Sequence, residues 1–397
     1  MAIGANHLGR GVVSGYTGWA IDSGNARVLS DVAATRKKLQ VIQDKLEMVN
    51  EGCAPLYQFT KKLGNKKTVG QPIFYMWAND ELPRWFQANG AQSASSTALV
   101  LDSTAGLQSG MQLYDPTTRA TIQIDTVTNT TDLVIVAATD AIADNQELLL
   151  LGPASPEGST APAGLHSEPA YHTSYVQTFR RAIELSRRDL DADLYGGAEM
   201  PRLLRDSHEA MLLDIEATFL FGKVNGTEST YYGTRTKGVT QVISSNTYNV
   251  GSVALTEDGW RNSFLLPWFR KHATGKKNLV AFAGEKVLAT LDEFALDRQT
   301  TSVSETLHGA EVTRYKTSFG EIALVRHGLM QVNTELSGMV IGLDMSQIFE
   351  VQYKNGALKL QSDIETPGTD GKKSGWLADI GIGCGIEAKH ALLYGAV

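Results

Sequence analysis

Two segments approach the residue spacing of a loop that binds a phosphate or a calcium ion. Residues 4–11 contain the two glycines of a phosphate loop, but arginine and glycine stand where that loop needs lysine and a magnesium-binding hydroxyl. The three aspartates within residues 189–193 have the spacing of the first calcium ligands. However, Leu194 occupies the position of the turn glycine, and Glu199 falls one residue short of the closing ligand. We therefore predict a flexible arm over the first segment and a solvated loop over the second.

The histidines and cysteines do not form a recognisable zinc or nucleophile motif either. His208 is followed by Glu209, but Leu212 stands where a second zinc ligand would be needed, four residues after His208. Cys53 has no obvious base beside it, and Cys384 lies in a strictly alternating apolar run, which predicts a buried core thiol in a strand. The sequence therefore predicts no catalytic, cofactor-binding or metal-binding residues. An enzyme whose carboxylate site has no sequence signature remains an alternative.

The acidic residues are concentrated in one part of the chain. The 397 residues carry a net charge of −7, and residues 92–160 alone hold eight acids against one base, Arg119. This window also has a single aromatic residue, Tyr114, and no lysine, so we predict a module of separate origin, inserted into a host domain. The acidic balance argues against a nucleic-acid reader. A 42% hydrophobic content excludes a disordered chain, and no apolar run is long enough to span a bilayer.

The periodicity of apolar residues predicts how the chain is organised. A glycine-rich arm over residues 1–29 and an amphipathic helix up to residue 52 come first, and a bracing helix is predicted over residues 201–221. Residues 54–90 are predicted to be extended and to pair with the β run 171–186 as a long two-stranded arm. Five short strands predict a small β-barrel or sandwich for the inserted module, at residues 97–101, 111–114, 120–127, 133–137 and 147–151. Beyond residue 250, helices and strands interleave without a βαβ rhythm, which predicts an α+β fold.

Several short motifs of this organisation resemble one known family, the major capsid proteins of tailed bacteriophages with the Hong Kong 97-type fold. The motifs that carry the resemblance are Pro55-Leu56-Tyr57-Gln58-Phe59-Thr60, Tyr75-Met76-Trp77-Ala78-Asn79-Asp80-Glu81-Leu82, Glu157-Gly158, Tyr175-Val176-Gln177-Thr178-Phe179-Arg180, Asp214-Ile215-Glu216 and Phe219-Leu220-Phe221-Gly222.

The resemblance implies a division of the chain. It assigns residues 1–52 to an N-terminal arm, 53–91 with 160–188 to an extended loop, and 92–159 to the inserted acidic module. It assigns residues 189–254 with 335–397 to a peripheral domain with the spine helix 201–221, and 255–334 to an axial domain.

The resemblance also implies a function. The expected protein is a shell subunit that binds copies of itself as pentamers and hexamers and encloses double-stranded DNA, which it contacts non-specifically. Scaffolding, portal and decoration proteins are further expected partners, no membrane is involved, and the location is the virion, assembled in the host cytoplasm. The shell of a bacterial nanocompartment, built on the same fold, remains an alternative.

A long arm has little core of its own, so its aromatic and basic residues are predicted to contact neighbouring subunits. The four arginines are expected to pair with acids of a neighbour. The predicted inter-subunit contacts are Trp77, Trp85, Phe86, Tyr171, Tyr175, Phe179, Arg180, Arg181, Arg187 and Arg188.

Overall fold

The computed structural model describes most of the chain after residue 53. The described residues are 54–79, 82–136, 140–154, 157–158, 164–165, 169–192, 199–228, 233–272, 279–296, 302–307, 310–317, 320–331 and 333–396. The predicted N-terminal arm with its helix, and Cys53, lie outside these residues. The chain divides into two compact units, one of residues 1–77 with 171–397 and the other of residues 78–170.

The described part of the chain contains both helices and strands. In chain order they are α1 (Pro55–Lys62), β1 (Lys66–Val69), β2 (Ile73–Ala78), β3 (Trp85–Gln87), β4 (Ala98–Val100), β5 (Met111–Tyr114), β6 (Thr121–Val127), β7 (Asp132–Ile135), β8 (Glu147–Pro153), β9 (Ala170–Tyr175), β10 (Gln177–Ser186), α2 (Arg187–Leu190), α3 (Glu199–Phe221), α4 (Val239–Val242), β11 (Thr247–Val253), a π-helix (Gly259–Leu265), α5 (Leu266–Arg270), β12 (Leu279–Ala283), α6 (Glu285–Leu296), β13 (Ser302–Leu307), β14 (Ala310–Lys316), β15 (Glu321–Arg326), α7 (Thr334–Ser337), β16 (Val340–Asp344), β17 (Ile348–Tyr353), β18 (Lys359–Gln361), β19 (Gly371–Cys384) and β20 (Ala391–Ala396). Short 3-10 turns cover Gly328–Met330, Met345–Gln347 and Glu387–Lys389.

The predicted bracing helix is confirmed as α3, which spans 23 residues. Met211, Ile215 and Phe219 recur at four-residue spacing and are all buried in the largest hydrophobic core. That core also contains residues of two sheets, a five-stranded sheet with the path β1-β17-β19-β10 and β18 beside β19, and a seven-stranded sheet with the order β11-β20-β16-β12-β15-β14-β13. The helix therefore braces the first unit, as its length and pattern predict.

A second core is built around aromatic residues of the π-helix and α5. Trp260, Phe264 and Trp268 are fully or almost fully buried there, together with apolar residues of α6 and of the seven-stranded sheet. Both helical and strand elements thus have a buried apolar face, and the predicted α+β class agrees with the structure.

The second unit is a small β-barrel, and the five predicted strands are confirmed within it. A sixth strand, β3, joins them in the order β3-β8-β5-β6-β7-β4. The two ends of this path meet, because the amide of Asn89 donates to the carbonyl of Val100 at 2.9 Å and the amide of Asp102 donates to that of Gln87 at 3.0 Å. Inward side chains of every strand form one closed hydrophobic core.

The prediction that residues 54–59 are extended is wrong. Pro55 begins the helix α1, and Leu56, Tyr57 and Phe59 are buried against α3 and its neighbours. Proline is well tolerated in the first turn of a helix, and the buried positions follow a helical spacing that five residues are too few to reveal from sequence.

The predicted long two-stranded arm is also corrected, because its returning run divides at Val176. β9 pairs with β2, whereas β10 pairs over ten residues with β19 inside the five-stranded sheet. Only the two-stranded sheet of β2 and β9 therefore has the two-stranded character that the sequence predicts for the whole arm. We call this pair of strands, between which the barrel is inserted, the β2–β9 hairpin.

Candidate assembly surface

The β2–β9 hairpin has one face that is packed against its own chain. Phe74 and Met76 of β2 are buried together with Phe349 and Val351 of β17 in a small separate core. The ring of Phe349 also lies on Gly383, where an added Cβ would collide with it. This close approach explains the glycine at position 383, in the strand β19 that the alternation predicts, and it fixes the base of the hairpin.

The opposite face of the hairpin carries a row of exposed aromatic rings. Tyr75 is 51% exposed, Trp77 is 60% exposed and Tyr171 is 57% exposed. The ring centroid of Tyr171 lies 5.5 Å from that of Tyr75 and 4.8 Å from that of Trp77, so the three rings form one continuous surface. Successive residues of a strand alternate between faces, and this is why the apolar run of β2 supplies both a buried and an exposed set. We call Tyr75, Trp77 and Tyr171 the aromatic row.

A buried carboxylate holds α1 in place, at the point where the described part of the chain begins. Glu216 of α3 is fully buried, and its two oxygens accept hydrogen bonds from the amides of Leu56 at 2.8 Å and Tyr57 at 2.9 Å. These amides belong to the first turn of α1, where no intrahelical acceptor is available. A side chain from another helix thus performs the capping that Ala54 cannot provide.

His327 completes this buried network. Its Nε2 lies 2.8 Å from Glu216, and its Nδ1 accepts a hydrogen bond from the amide of Leu329 at 3.2 Å. Because Nδ1 is an acceptor, the proton of a neutral ring must sit on Nε2 and point to the carboxylate. The sequence alone does not reveal this network, although a charged residue within the apolar stripe of a helix is the available signal.

The described cysteine, Cys384, and the histidine whose pKa is shifted most, His390, are both buried inside the fold. Burial raises the pKa of Cys384 to about 12, so this thiol is protonated at neutral pH and is the core thiol that the sequence predicts. Burial also lowers the pKa of His390 to about 4, with an opposing contribution from Asp344. The Nδ1 atom of His390 accepts a hydrogen bond from the Asp344 amide at 3.4 Å. Both groups have structural roles.

Two of the aromatic residues predicted to contact neighbouring subunits are core residues of their own chain. Phe86 is buried in the barrel, and Phe179 is buried against α3. Both alternate with exposed neighbours along a strand, and in each case the inward position is the one they occupy. Tyr175 is half-buried, with its ring against Gly226, whereas Trp85 is exposed on the outside of the barrel.

Two of the four arginines that are expected to pair with acids of a neighbour form ion pairs within their own chain. Arg181 forms an ion pair with Asp214 of α3 at 2.9 Å, and Arg187 forms one with Asp370 at 2.9 Å. Both acids belong to the same chain. Asp214 is within reach because β10 packs against α3 and places Arg181 above that helix. Arg180 and Arg188 are exposed.

The described residues contain neither a metal site nor a helix that could span a membrane. Within these ranges, no group of three or more His, Cys, Asp or Glu side chains is arranged to hold a metal ion. None of the helices described there combines the length and the apolar character that crossing a bilayer requires.

Comparison with protein families then decides what kind of protein this is. The model of the family described as SU10 major capsid protein matches residues 31–396, nearly the whole chain. The chain belongs to this family. The resemblance to phage major capsid proteins, drawn from the sequence motifs, is thereby confirmed. The chain is a structural component of a phage virion.

Individual relatives are distant in sequence. The major capsid protein of Pseudomonas phage PaMx41 is 23% identical over 370 residues, which cover 88% of this chain and 86% of the relative. Among solved structures, the capsid of a native GTA particle has a TM-score of 0.48 at 9% identity, covering 94% of this chain and 99% of the other. The SrpI encapsulin complex from Synechococcus elongatus PCC 7942 has a TM-score of 0.47 at 11% identity, covering 93% and 96%.

Proposed function

We propose that this SU10-family protein assembles as pentamers and hexamers into the icosahedral head that encloses the double-stranded DNA of a phage. The aromatic row on the β2–β9 hairpin is the observation that carries the proposal. Three large rings, of which Tyr171 contacts the other two, are each more than half exposed in the subunit, and they leave apolar area in water that burial against a second copy removes. Obligate interfaces are rich in such aromatic residues at their centres.

The exposed members of the predicted contact set act together in this proposal. Trp77 and Tyr171 supply the apolar centre, Tyr175 lies at the other end of β9, and Arg180 follows at the beginning of β10. Arg188 and Trp85 contribute at further contacts. Phe86 and Phe179 are core residues of the barrel and of the first unit, and Arg181 and Arg187 form ion pairs with their own chain.

The charge distribution is consistent with a shell around DNA. The compact unit of residues 78–170 contains eleven acids and two arginines, and the rest of the chain contains 34 basic and 32 acidic residues. A nearly neutral body neither repels packed DNA strongly nor holds it tightly. We infer that DNA contacts are non-specific, that assembly takes place in the host cytoplasm, and that scaffolding, portal and decoration proteins are partners.

Assembly of the purified chain tests this function. We expect the unmodified protein to form closed megadalton shells, visible by electron microscopy and by analytical ultracentrifugation. Trp77→Ala should abolish shells while leaving a folded subunit, because it deletes the centre of the aromatic row. Trp77→Phe is the matched control, and it should retain assembly since most of the apolar area remains.

Two outcomes contradict the proposal. Small oligomers in place of shells from the unmodified chain favour the alternative of an enzyme. Shells that carry protein cargo and no DNA, when isolated from infected cells, favour the nanocompartment.

A further inference from the structure

The outside of the barrel carries an apolar row of its own. Trp85 of β3 lies directly opposite Leu149 of β8, and Leu149 lies directly opposite Tyr114 of β5. Their neighbours Phe86, Leu148 and Leu113 point into the barrel core, so these three side chains share the outer face. Trp85 is 53% exposed, and Leu151, further along β8, is 50% exposed. We call this surface, with Glu147 on the same side of β8, the barrel face.

The barrel face belongs to a strongly negative unit. Residues 78–170 carry a net charge of −9, and Glu147 and Asp125 are exposed residues of the barrel strands. A second barrel would repel such a surface, since like charges brought together across an interface cost free energy. The partner of the barrel face must therefore combine an apolar centre with positive charge.

The same chain contains a surface of that kind in its other unit. Lys61 and Lys62 end α1, Lys66 and Lys67 lie on β1, and Leu63 between them is 37% exposed. All four lysines are exposed, and the Nζ of Lys67 is held 4.0 Å from the ring centroid of Phe349. We call residues 61–67 the lysine edge.

The position of the lysine edge favours contact through side chains. β1 ends the path of the five-stranded sheet and pairs with β17 in parallel. Lysines on an edge strand oppose the addition of a further strand, so a partner must bind the ammonium groups and Leu63 rather than the free backbone.

We propose that the barrel face of one subunit binds the lysine edge of a second copy of this chain. This inference rests on the proposed assembly function and adds a second contact to the one made by the aromatic row. The opposite charges steer the two surfaces together, and Trp85 and Leu151 meet the apolar centre at Leu63. Because exposed charges contribute, the contact weakens as the salt concentration rises.

Mixed-isotope cross-linking tests the contact directly. Unlabelled and ¹⁵N-labelled subunits are co-assembled and treated with a carbodiimide, which joins a lysine to a carboxylate only where the two touch. We expect linked peptides that join Lys66 or Lys67 to Glu147, with one isotope on each side. Links that always carry a single isotope would place the contact within one chain and overturn the proposal.

Charge exchange provides the second arm of the test. We expect the double variant Lys66→Glu with Lys67→Glu to need an about tenfold higher subunit concentration to assemble, since several exposed ion pairs are lost at each contact. The barrel-face variant Glu147→Lys should also raise the concentration needed, and combining it with Lys66→Glu and Lys67→Glu should restore assembly in part. Lys316→Glu with Lys359→Glu, an equal change of charge at two exposed lysines elsewhere, is the control.

The result that overturns this contact differs from the one that overturns the proposed function. Normal assembly of both charge variants, with shells from the unmodified chain, removes the contact and leaves the capsid function intact. Absence of shells from the unmodified chain contradicts the function, and the inference fails with it.

Discussion

The two halves of the run from Tyr171 to Ser186 have the same alternating pattern but differ in the burial of their alternate residues. In β10 the alternate residues meet α3, so Phe179 is buried and Arg181 reaches an acid on that helix. In β9 no helix of the described part of the chain covers the outer face, and Tyr171 stays 57% exposed beside Trp77. An alternating strand therefore tells which residues share a face, and only the neighbouring elements decide whether that face is core or surface.

This contrast separates stability from assembly. The face that β10 turns to α3 holds the subunit together, and the outer face of the β2–β9 hairpin is the one that we propose binds other copies. Substitutions in the two halves should therefore be distinguishable by two readouts, the free energy of unfolding of the isolated subunit and the yield of shells.

Glu216→Ala should give one of the two largest losses of subunit stability. It leaves the amides of Leu56 and Tyr57 and the Nε2 of His327 without their acceptor in a buried place, and we expect a loss of about 3–5 kcal/mol. Urea denaturation of the unassembled subunit measures the change. Asp214→Ala on the same helix is the control and should cost less than ~1 kcal/mol, since its ion pair with Arg181 is exposed. Equal losses for both variants would contradict the role given to Glu216.

Phe179→Ala compared with Trp77→Ala tests the contrast between the two halves of the run directly. Removing the buried ring should cost about 3–5 kcal/mol of unfolding free energy. Removing the exposed ring should change it by no more than about 0.5 kcal/mol, while shells are lost. Denaturation and particle yield are measured on the same preparations. A Trp77→Ala subunit as unstable as Phe179→Ala would show that the hairpin belongs to the core.

A fall in pH should lower the stability of the folded subunit through His390. Burial lowers the pKa of this histidine to about 4 in the folded chain, against about 6.5 in an unfolded one. Between these values the unfolded chain binds a proton that the folded chain does not. The contribution of this histidine to the free energy of unfolding is therefore fully present above pH 6.5 and is lost as the pH falls to 4.

His390→Asn removes this titration and keeps an acceptor for the Asp344 amide. The slope of unfolding free energy against pH between 6.5 and 4 should be smaller in the variant than in the unmodified subunit. Identical slopes would mean that His390 does not contribute.

The smallest effects are expected for the two adjacent arginines, whose side chains lie on opposite faces of β10. Arg181→Ala should lower subunit stability by about 0.5 kcal/mol, since it deletes one exposed ion pair. Arg180→Glu should leave stability unchanged and reduce the yield of shells. A loss of shells with Arg181→Ala but not with Arg180→Glu would reverse the assignment of the two faces.

Local sequence patterns predicted the elements that are long or that alternate regularly. α3 and the barrel strands are of this kind, because each presents enough residues to establish its period. α1 was missed since it has only eight residues and its capping acceptor, Glu216, lies 160 positions away from Leu56.

The position of β10 depends on a partner that is even more distant in sequence. β19 lies beside it in the sheet, with Phe179 opposite Ala378, and α3 covers the face that contains Phe179. Local sequence therefore predicts the arginine cluster on an arm, although two of its members have partners in their own chain. Of the candidate surface, the aromatic residues of β2 were recognised from sequence, but their separation into buried and exposed members required the structure.

Protection of the aromatic row in assembled particles tests the central claim most directly. Hydroxyl-radical footprinting with mass spectrometry compares the oxidation of Tyr75, Trp77 and Tyr171 in free subunits and in shells, with the buried Trp260 as an internal reference. We expect all three residues to react readily in the subunit and to be protected in the shell, while Trp260 stays unreactive in both. Equal oxidation of the three residues in subunits and shells would contradict the claim that this face binds another copy.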